Sequence, residues 1–383
     1  MKGWRFTAVF VCVLFLAVAA NAQLAKILIP AGTPEDQAIQ AITNEGDAQK
    51  RTAMWDDFVT KFKDNPQAVA YGNWQLSQIY SADGDNAKGL EYGDKALAAM
   101  PNNLDILVAN AGIAQQMKNT SKVMEYAARG GKAFNGVGSQ PKPEGMTDEQ
   151  FASKIAEEKS SAQQSYEFLE ISAYNVVAGE QDPKARLNYI EQYTEAFPES
   201  RFSENVNAFA IMSVQQMNNP ALLNEFAEKA LAKNQNSLST LILLANAFSE
   251  DQSPSSAAKA ATYARKAIEL AKADDPSADK QRKMSAGVAH SALGYALLKE
   301  DKTTQAIAEL KTAATMLKDN PAAYSTVLYR LGFAYAKTQQ YVDAKPVLAE
   351  AAEIEGPFQQ ASKELLEKVA TAKPVAKKPV RKH

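Results

Sequence analysis

Apolar residues recur along this chain at intervals of three and four, the spacing that places side chains on one face of a helix. Trp55, Phe58, Val59 and Phe62 fall at i, i+3, i+4 and i+7, and Leu328, Leu331 and Tyr335 at i, i+3 and i+7. No run of alternating β-branched residues is long enough to argue for a sheet, so the pattern predicts helices from about Glu35 onward, after a loose segment from Gln23 to Pro34. Asn65-Pro66 reads as the end of the helix that carries Trp55, and Asp83-Gly84-Asp85 as a loop between two helices. Thr147-x-x-Gln150 has the spacing of a capping box and opens a long helix. Phe151, Ile155, Ala162, Tyr166, Leu169, Ala173 and Val176 share the buried stripe of that helix. Asp182-Pro183 supplies an N-cap and first-turn proline for the next one, and Asn219 caps another. The Gly/Pro-rich stretch 136–147 is the clearest internal boundary.

The pattern also repeats. Glu91-Tyr92 recurs as Glu125-Tyr126, 34 residues later. The stretch Ala323–Pro357 reads Leu328-x-x-Leu331-Gly332-x-x-Tyr335, then Ala344-x-x-x-Leu348-x-x-Ala351, then Gly356-Pro357. Gly332 and Ala344 are small, so two antiparallel helices can approach closely there. This stretch resembles one tetratricopeptide repeat, W-x₂-L-G-x₂-Y then A-x₃-F then P in about 34 residues, with Leu at the Trp and Phe places. Leu293-Gly294, Leu297, Ala306, Leu310 and Ala313 make a second clear copy, and Leu76, Tyr80, Gly89 and Ala96 a weaker one. The resemblance implies an all-α fold: a right-handed α-solenoid of about eight helix pairs, closed by a C-terminal capping helix with Phe358, Ala361, Leu365 and Val369 on its apolar face. It divides the chain into repeats over 23–135, the linker 136–147, divergent repeats with the long helix over 148–235, and C-terminal repeats with the cap over 236–370.

Charge and composition change this picture at both ends. Lys2 and Arg5 precede an apolar run from Phe6 to Ala20 and then Ala20-Asn21-Ala22, the layout of a secretory signal cleaved before Gln23. The run is shorter than the roughly 20 residues of a bilayer span, so no transmembrane segment is expected in the mature chain. The only cysteine, Cys12, lies inside that run. A cleaved chain would therefore have no disulfide and no thiolate metal site. The tail 371–383 holds five basic residues and no acid, while the body from Gln23 to Ala372 holds 35 basic and 44 acidic residues, a net charge of −9. The tail reads as a disordered solvated end, or as a segment attracted to an anionic envelope polymer or lipid surface. It has no aromatic residue to stack on bases, so nucleic acid is not expected as a partner.

Catalysis needs a poised acid, base, nucleophile or metal, and the candidates are few. Of the two histidines, His383 ends the tail and His290 occupies a repeat's Trp place, where it reads as a packing residue. Arg129-Gly130-Gly131-Lys132 has a superficial likeness to a phosphate loop, but without the preceding strand it reads as a helix terminus. No cofactor and no enzymatic activity are expected. The resemblance implies instead a binding scaffold for a protein or peptide, and the signal layout implies export to the periplasm or the extracellular space of a bacterium. The first-helix face that the family uses for peptides would carry Tyr71, Trp74 and Gln78, then Asn246, Tyr295, Tyr329 and Phe333. Trp74 is equally readable as packing between repeats. The family's carboxylate clamp finds Ile242, Asn246, Ala292, Thr326 and Arg330 at its five places, only two of which match, so a clamp is rejected. The other readings are a structural or assembly subunit of an envelope complex and a polymer binder acting through the tail.

Overall fold

A computed structural model describes Leu24 and residues 26–372. The expected signal segment, the cleavage point at Gln23 and the basic residues after Ala372 lie outside the described residues. Among those described, seventeen α-helices and no strand occur. They are α1 (Pro34–Thr43), α2 (Ala48–Lys61), α3 (Pro66–Ala82), α4 (Asn86–Ala99), α5 (Leu104–Gln116), α6 (Thr120–Gly136), α7 (Asp148–Gly179), α8 (Pro183–Ala196) and α9 (Ser203–Gln216). There follow α10 (Pro220–Lys233), α11 (Leu238–Glu250), α12 (Ser256–Ala271), α13 (Lys280–Lys299), α14 (Thr303–Leu317), α15 (Pro321–Lys337), α16 (Tyr341–Glu353) and α17 (Gln359–Thr371). Within the units, α1–α2, α3–α4, α5–α6, α9–α10, α11–α12, α13–α14 and α15–α16 pack as pairs and α17 packs on α16, the all-α, solenoid-type architecture that the resemblance implies. None of the described helices is long and apolar enough to cross a membrane.

Capping residues set the helix starts. Asn65, Asn103, Asn119, Asn219 and Asn320 each accept a backbone N–H from the first turn of the helix that follows. Such a cap contributes about 1 kcal/mol. Asn65-Pro66 thus begins α3; α2 has already ended at Lys61, four residues earlier. The capping box is present in full, with Gln150 N–H donating to Thr147 Oγ1 at 3.2 Å and Thr147 N–H donating to Gln150 Oε1 at 3.0 Å. The turns inside five of the pairs share one geometry. Gly84, Lys118, Asn218, Asp301 and Gln339 all have left-handed φ, between 49° and 86°. After four of them the next amide bonds back to the carbonyl five residues earlier: Asp85 to Tyr80, Asn119 to Ala114, Lys302 to Leu297 and Gln340 to Tyr335. This closes the orphan carbonyls at the end of the first helix.

Small residues let the paired helices touch. A Cβ added to Gly332 would lie 2.4 Å from Leu348 Cδ2, and one added to Gly294 would lie 2.6 Å from Leu310 Cγ. Gly130 and Gly131 do the same in a place the sequence misled. They lie in the interior of α6, not at a helix terminus, against Leu169 of α7 and the Ala196 carbonyl at the end of α8. Two side chains there would push these neighbours away. The 34-residue recurrence also returns in three dimensions. Tyr92 on α4 donates its hydroxyl to Asp56 on α2 at 3.1 Å, and Tyr126 on α6 donates to Asp94 on α4 at 2.8 Å.

The helices gather into two compact units. The first contains the described residues up to Val176 with Gln192–Pro198, and the second contains Val177–Glu191 with the residues from Glu199 onward. In the first, Trp55, Phe58 and Leu76 form a core with the partly buried Tyr71 and Phe62. In the second, Phe248, Leu293, Leu297, Leu310, Leu331 and Leu348 belong to one continuous core.

Candidate functional site

The sequence-derived surface residues fall into both units: Tyr71, Trp74 and Gln78 into the first, and Asn246, Tyr295, Tyr329 and Phe333 into the second. Each set is described within its own unit.

In the second unit, the first helices α11, α13 and α15 pack side by side and share a polar cluster. Arg330 of α15 is its centre and is buried, only 6% exposed. Its Nη1 donates to Ser291 Oγ of α13 at 3.0 Å, and its Nη2 pairs with Glu250 at the end of α11. The guanidinium lies over the Tyr295 ring, 4.5 Å from the centroid. Lys299, one turn beyond Tyr295, lies over the same ring at 5.0 Å and donates to the Asp251 carbonyl at 3.0 Å. Burial pulls the Lys299 ammonium below its ordinary range, opposed by the charges of Glu250 and Asp251. Burial pushes the Tyr295 phenol up, and Glu250 adds to that. Arg330 itself is drawn down by burial, with Glu250 and Tyr295 holding its charge in place. A buried cation survives only when paired and hydrogen-bonded in this way.

This arrangement decides what the surface can offer. Arg330, the one clamp cation found in the sequence, is committed to internal partners and is not presented to a ligand's carboxylate. Tyr329 stacks on Phe358 just before α17, with centroids 4.9 Å apart, so the cap covers its ring. Asn246 is half-buried and donates to its own helix at Ile242 O, 3.2 Å away. Phe333 is exposed at 42%. What faces outward is therefore an apolar ring, an amide and the half-exposed Glu250 carboxylate. Glu250 is absent from the sequence-derived set, although it sits one turn beyond Asn246 and so shares its face.

In the first unit, Tyr71 meets the edge of Trp55, with centroids 5.6 Å apart and planes at 71°, and belongs to the core there. Trp74 is half-buried, and its Nε1 is buried with no hydrogen-bond partner, so its polar edge is not turned toward a surface ligand. Of the three, Gln78 is exposed. His290 packs as the sequence suggests and gains a partner, its Nδ1 lying 2.6 Å from Glu309 Oε2 of α14. Among the described residues no cluster of three or more His, Cys, Asp or Glu side chains is placed to hold a metal ion.

No protein-family model matches the sequence, and no curated protein matches it. Solved structures resemble it at low identity. The C-terminal part of a TPR repeat-containing protein from Cytophaga hutchinsonii is 14% identical, over 76% of this chain and 99% of that one, with a TM-score of 0.36. The APC/C hetero-tetramer Cut9–Hcn1 is 14% identical over 88% of this chain and 62% of that one, with a TM-score of 0.41. Yeast Tom70 is 12% identical over 88% and 94%, with a TM-score of 0.21. Among the described residues the chain's own geometry shows paired helices, with left-handed turns inside five of the pairs and close contacts at Gly294 and Gly332.

Proposed function

We propose that this chain is an exported, non-catalytic scaffold that holds a protein or peptide partner in a bacterial cell envelope. The observation that carries the reading is the α11–α13–α15 surface. Arg330 ties three successive first helices together from beneath, which fixes Glu250, Asn246 and Phe333 before any partner arrives. A surface ordered in advance loses less entropy on binding. The net charge of −9 on the body favours a neutral or basic segment.

The test is capture from the envelope of the native cell. Truncating an aromatic anchor of an interface typically costs about 2 kcal/mol or more, so Phe333→Ala should cut capture of a specific partner by at least about tenfold while leaving the melting temperature unchanged. Capture undiminished in both Phe333→Ala and Asn246→Ala would overturn the reading of this surface. For export, protein recovered from its own cell should begin at Gln23; intact Met1 would contradict that part. One observation favours the assembly-subunit reading: Phe168 and Ile171, one turn apart on α7, are 37% and 38% exposed. A stable stoichiometric complex that dissolves on Phe168→Ser would favour it over transient capture.

A further inference from the structure

The first unit holds a segment that belongs to none of its helices. Residues 26–30 precede α1 without regular secondary structure and line a cleft with the starts of α3 and α5 and the middle of α7. The contacts are sparse. Leu28 N–H donates to Gln67 Oε1 at 2.5 Å, and Lys26 Nζ donates to Ser161 Oγ at 3.2 Å. Leu24 is buried, whereas Leu28 is 68% exposed. Beside the segment a cleft of about 670 Å³ stays open, its walls including Met100, Leu104, Asp105, Glu158 and Ala162.

Three features of this cleft match an extended peptide. Gln67 supplies a side-chain amide to a backbone N–H. Met100, Leu104 and Ala162 supply an apolar wall. Asp105 and Glu158 supply negative charge, and one Glu158 oxygen is buried with no hydrogen-bond partner. A buried unpaired carboxylate oxygen is costly. Lys154 approaches the other oxygen only at 3.8 Å. The segment's own Lys26 stops at Ser161, one turn further along α7, and leaves the Glu158 oxygen unanswered. The occupant therefore has the right chemistry and an incomplete fit.

We propose that this cleft is a second binding site, for an extended apolar segment bearing a Lys or Arg, and that Leu24 with residues 26–30 is its resident stand-in. The resident is tethered to α1 through Ala31, Gly32 and Thr33, so its effective concentration is high, on the order of millimolar for so short a link. An incoming segment has to outcompete it, and does so by reaching Glu158 and filling the open volume. This site is separate from the α11–α13–α15 surface, so its failure leaves the proposed function standing.

The experiment measures binding of a labelled synthetic peptide, Leu-Ala-Lys-Ile-Leu-Ile-Pro, to the whole mature protein and to two variants. Lys26→Glu turns the resident's cation into a carboxylate in a cleft also lined by Glu158 and Asp105, and Leu24→Asp removes its buried anchor. Both variants should bind the peptide at least about tenfold more tightly than the unaltered protein. Adding Glu158→Lys to either should abolish that gain, and a peptide with Glu in place of its Lys should bind none of them. Equal affinity for altered and unaltered protein, or no binding by either folded variant, would overturn the proposal. So would a concentration-dependent dimer of the unaltered protein that Lys26→Glu dissolves, because the cleft would then take the segment of a second copy.

Discussion

The two units present first helices of the same kind and finish their surfaces in opposite ways. In the first, an irregular segment from outside the repeats lies by the starts of α3 and α5, held by two side-chain hydrogen bonds and one buried leucine. In the second, the faces of α11, α13 and α15 are joined by Arg330, a residue of the repeat itself, with partners on the two helices before it. One surface is completed by something that can leave, and the other by something that cannot leave without breaking the fold. Helix pairing alone fixes neither outcome; a few polar residues at the edges of the repeat pattern decide it.

The largest effect that would sharpen this contrast comes from Arg330→Ala. Removing one partner of a buried ion pair costs about 3–5 kcal/mol, and the half-exposed Glu250 places this case at the low end. The second unit should unfold earlier in denaturant, whereas Lys26→Glu in the first unit should leave the midpoint nearly unchanged. A similar small loss in both would erase the distinction. Gly332→Leu comes next. Its side chain must displace Leu348, and overpacking of this kind costs about 1–3 kcal/mol, read as a lower melting temperature.

A smaller effect concerns the first unit. Burial, reinforced by Asp56, raises the Tyr92 phenol to about 12, and burial with Asp94 raises Tyr126 further in the same direction. An unfolded tyrosine titrates near pH 10. Between pH 10 and about 12 the folded chain keeps protons that the unfolded chain has lost, so stability falls as pH rises through that window. Tyr126→Phe should cost about 1 kcal/mol at neutral pH, the worth of one hydrogen bond, and should flatten the alkaline decline measured by denaturant titration. A decline as steep as before would remove Tyr126 from the explanation. Smallest of all, Gln339→Gly relieves a left-handed residue and should stabilise by at most about 1 kcal/mol. A clear loss would mean that Gln339 contributes through its side chain.

Much of the framework was legible because it follows from spacing. Leu328, Leu331, Gly332 and Tyr335 announce a helix face with a small residue for close approach, and Leu348 lies against that glycine. Thr147 and Gln150 announce a cap, and both bonds form. The left-handed turns carry a residue-type mark at Gly84, Asn218 and Asp301; Lys118 and Gln339 carry none, because the repeat's geometry imposes their φ. Gly130-Gly131 misled because a paired glycine usually marks a break, whereas here it makes room for Leu169 and Ala196 from distant parts of the chain. The surface was harder to read. Spacing placed Tyr71, Trp74 and Tyr329 on helix faces, but it could not show that Trp55 and Phe358 would engage two of those rings. Nor does any periodicity mark residues 26–30, whose place depends on Gln67 and Ser161.

Hydrogen exchange of the protein, resolved by peptide, separates a removable cover from a fixed surface. Amides in α13 and α15 should exchange slowly, close to the rate of global unfolding. Those of residues 26–30, held by a single side-chain bond at Leu28, should exchange orders of magnitude faster, and Lys26→Glu should bring them to the unprotected rate without altering α13 or α15. Residues 26–30 exchanging as slowly as α13, with Lys26→Glu loosening the whole first unit, would contradict the account, because the segment would then be an integral part of the fold and the two surfaces would be alike.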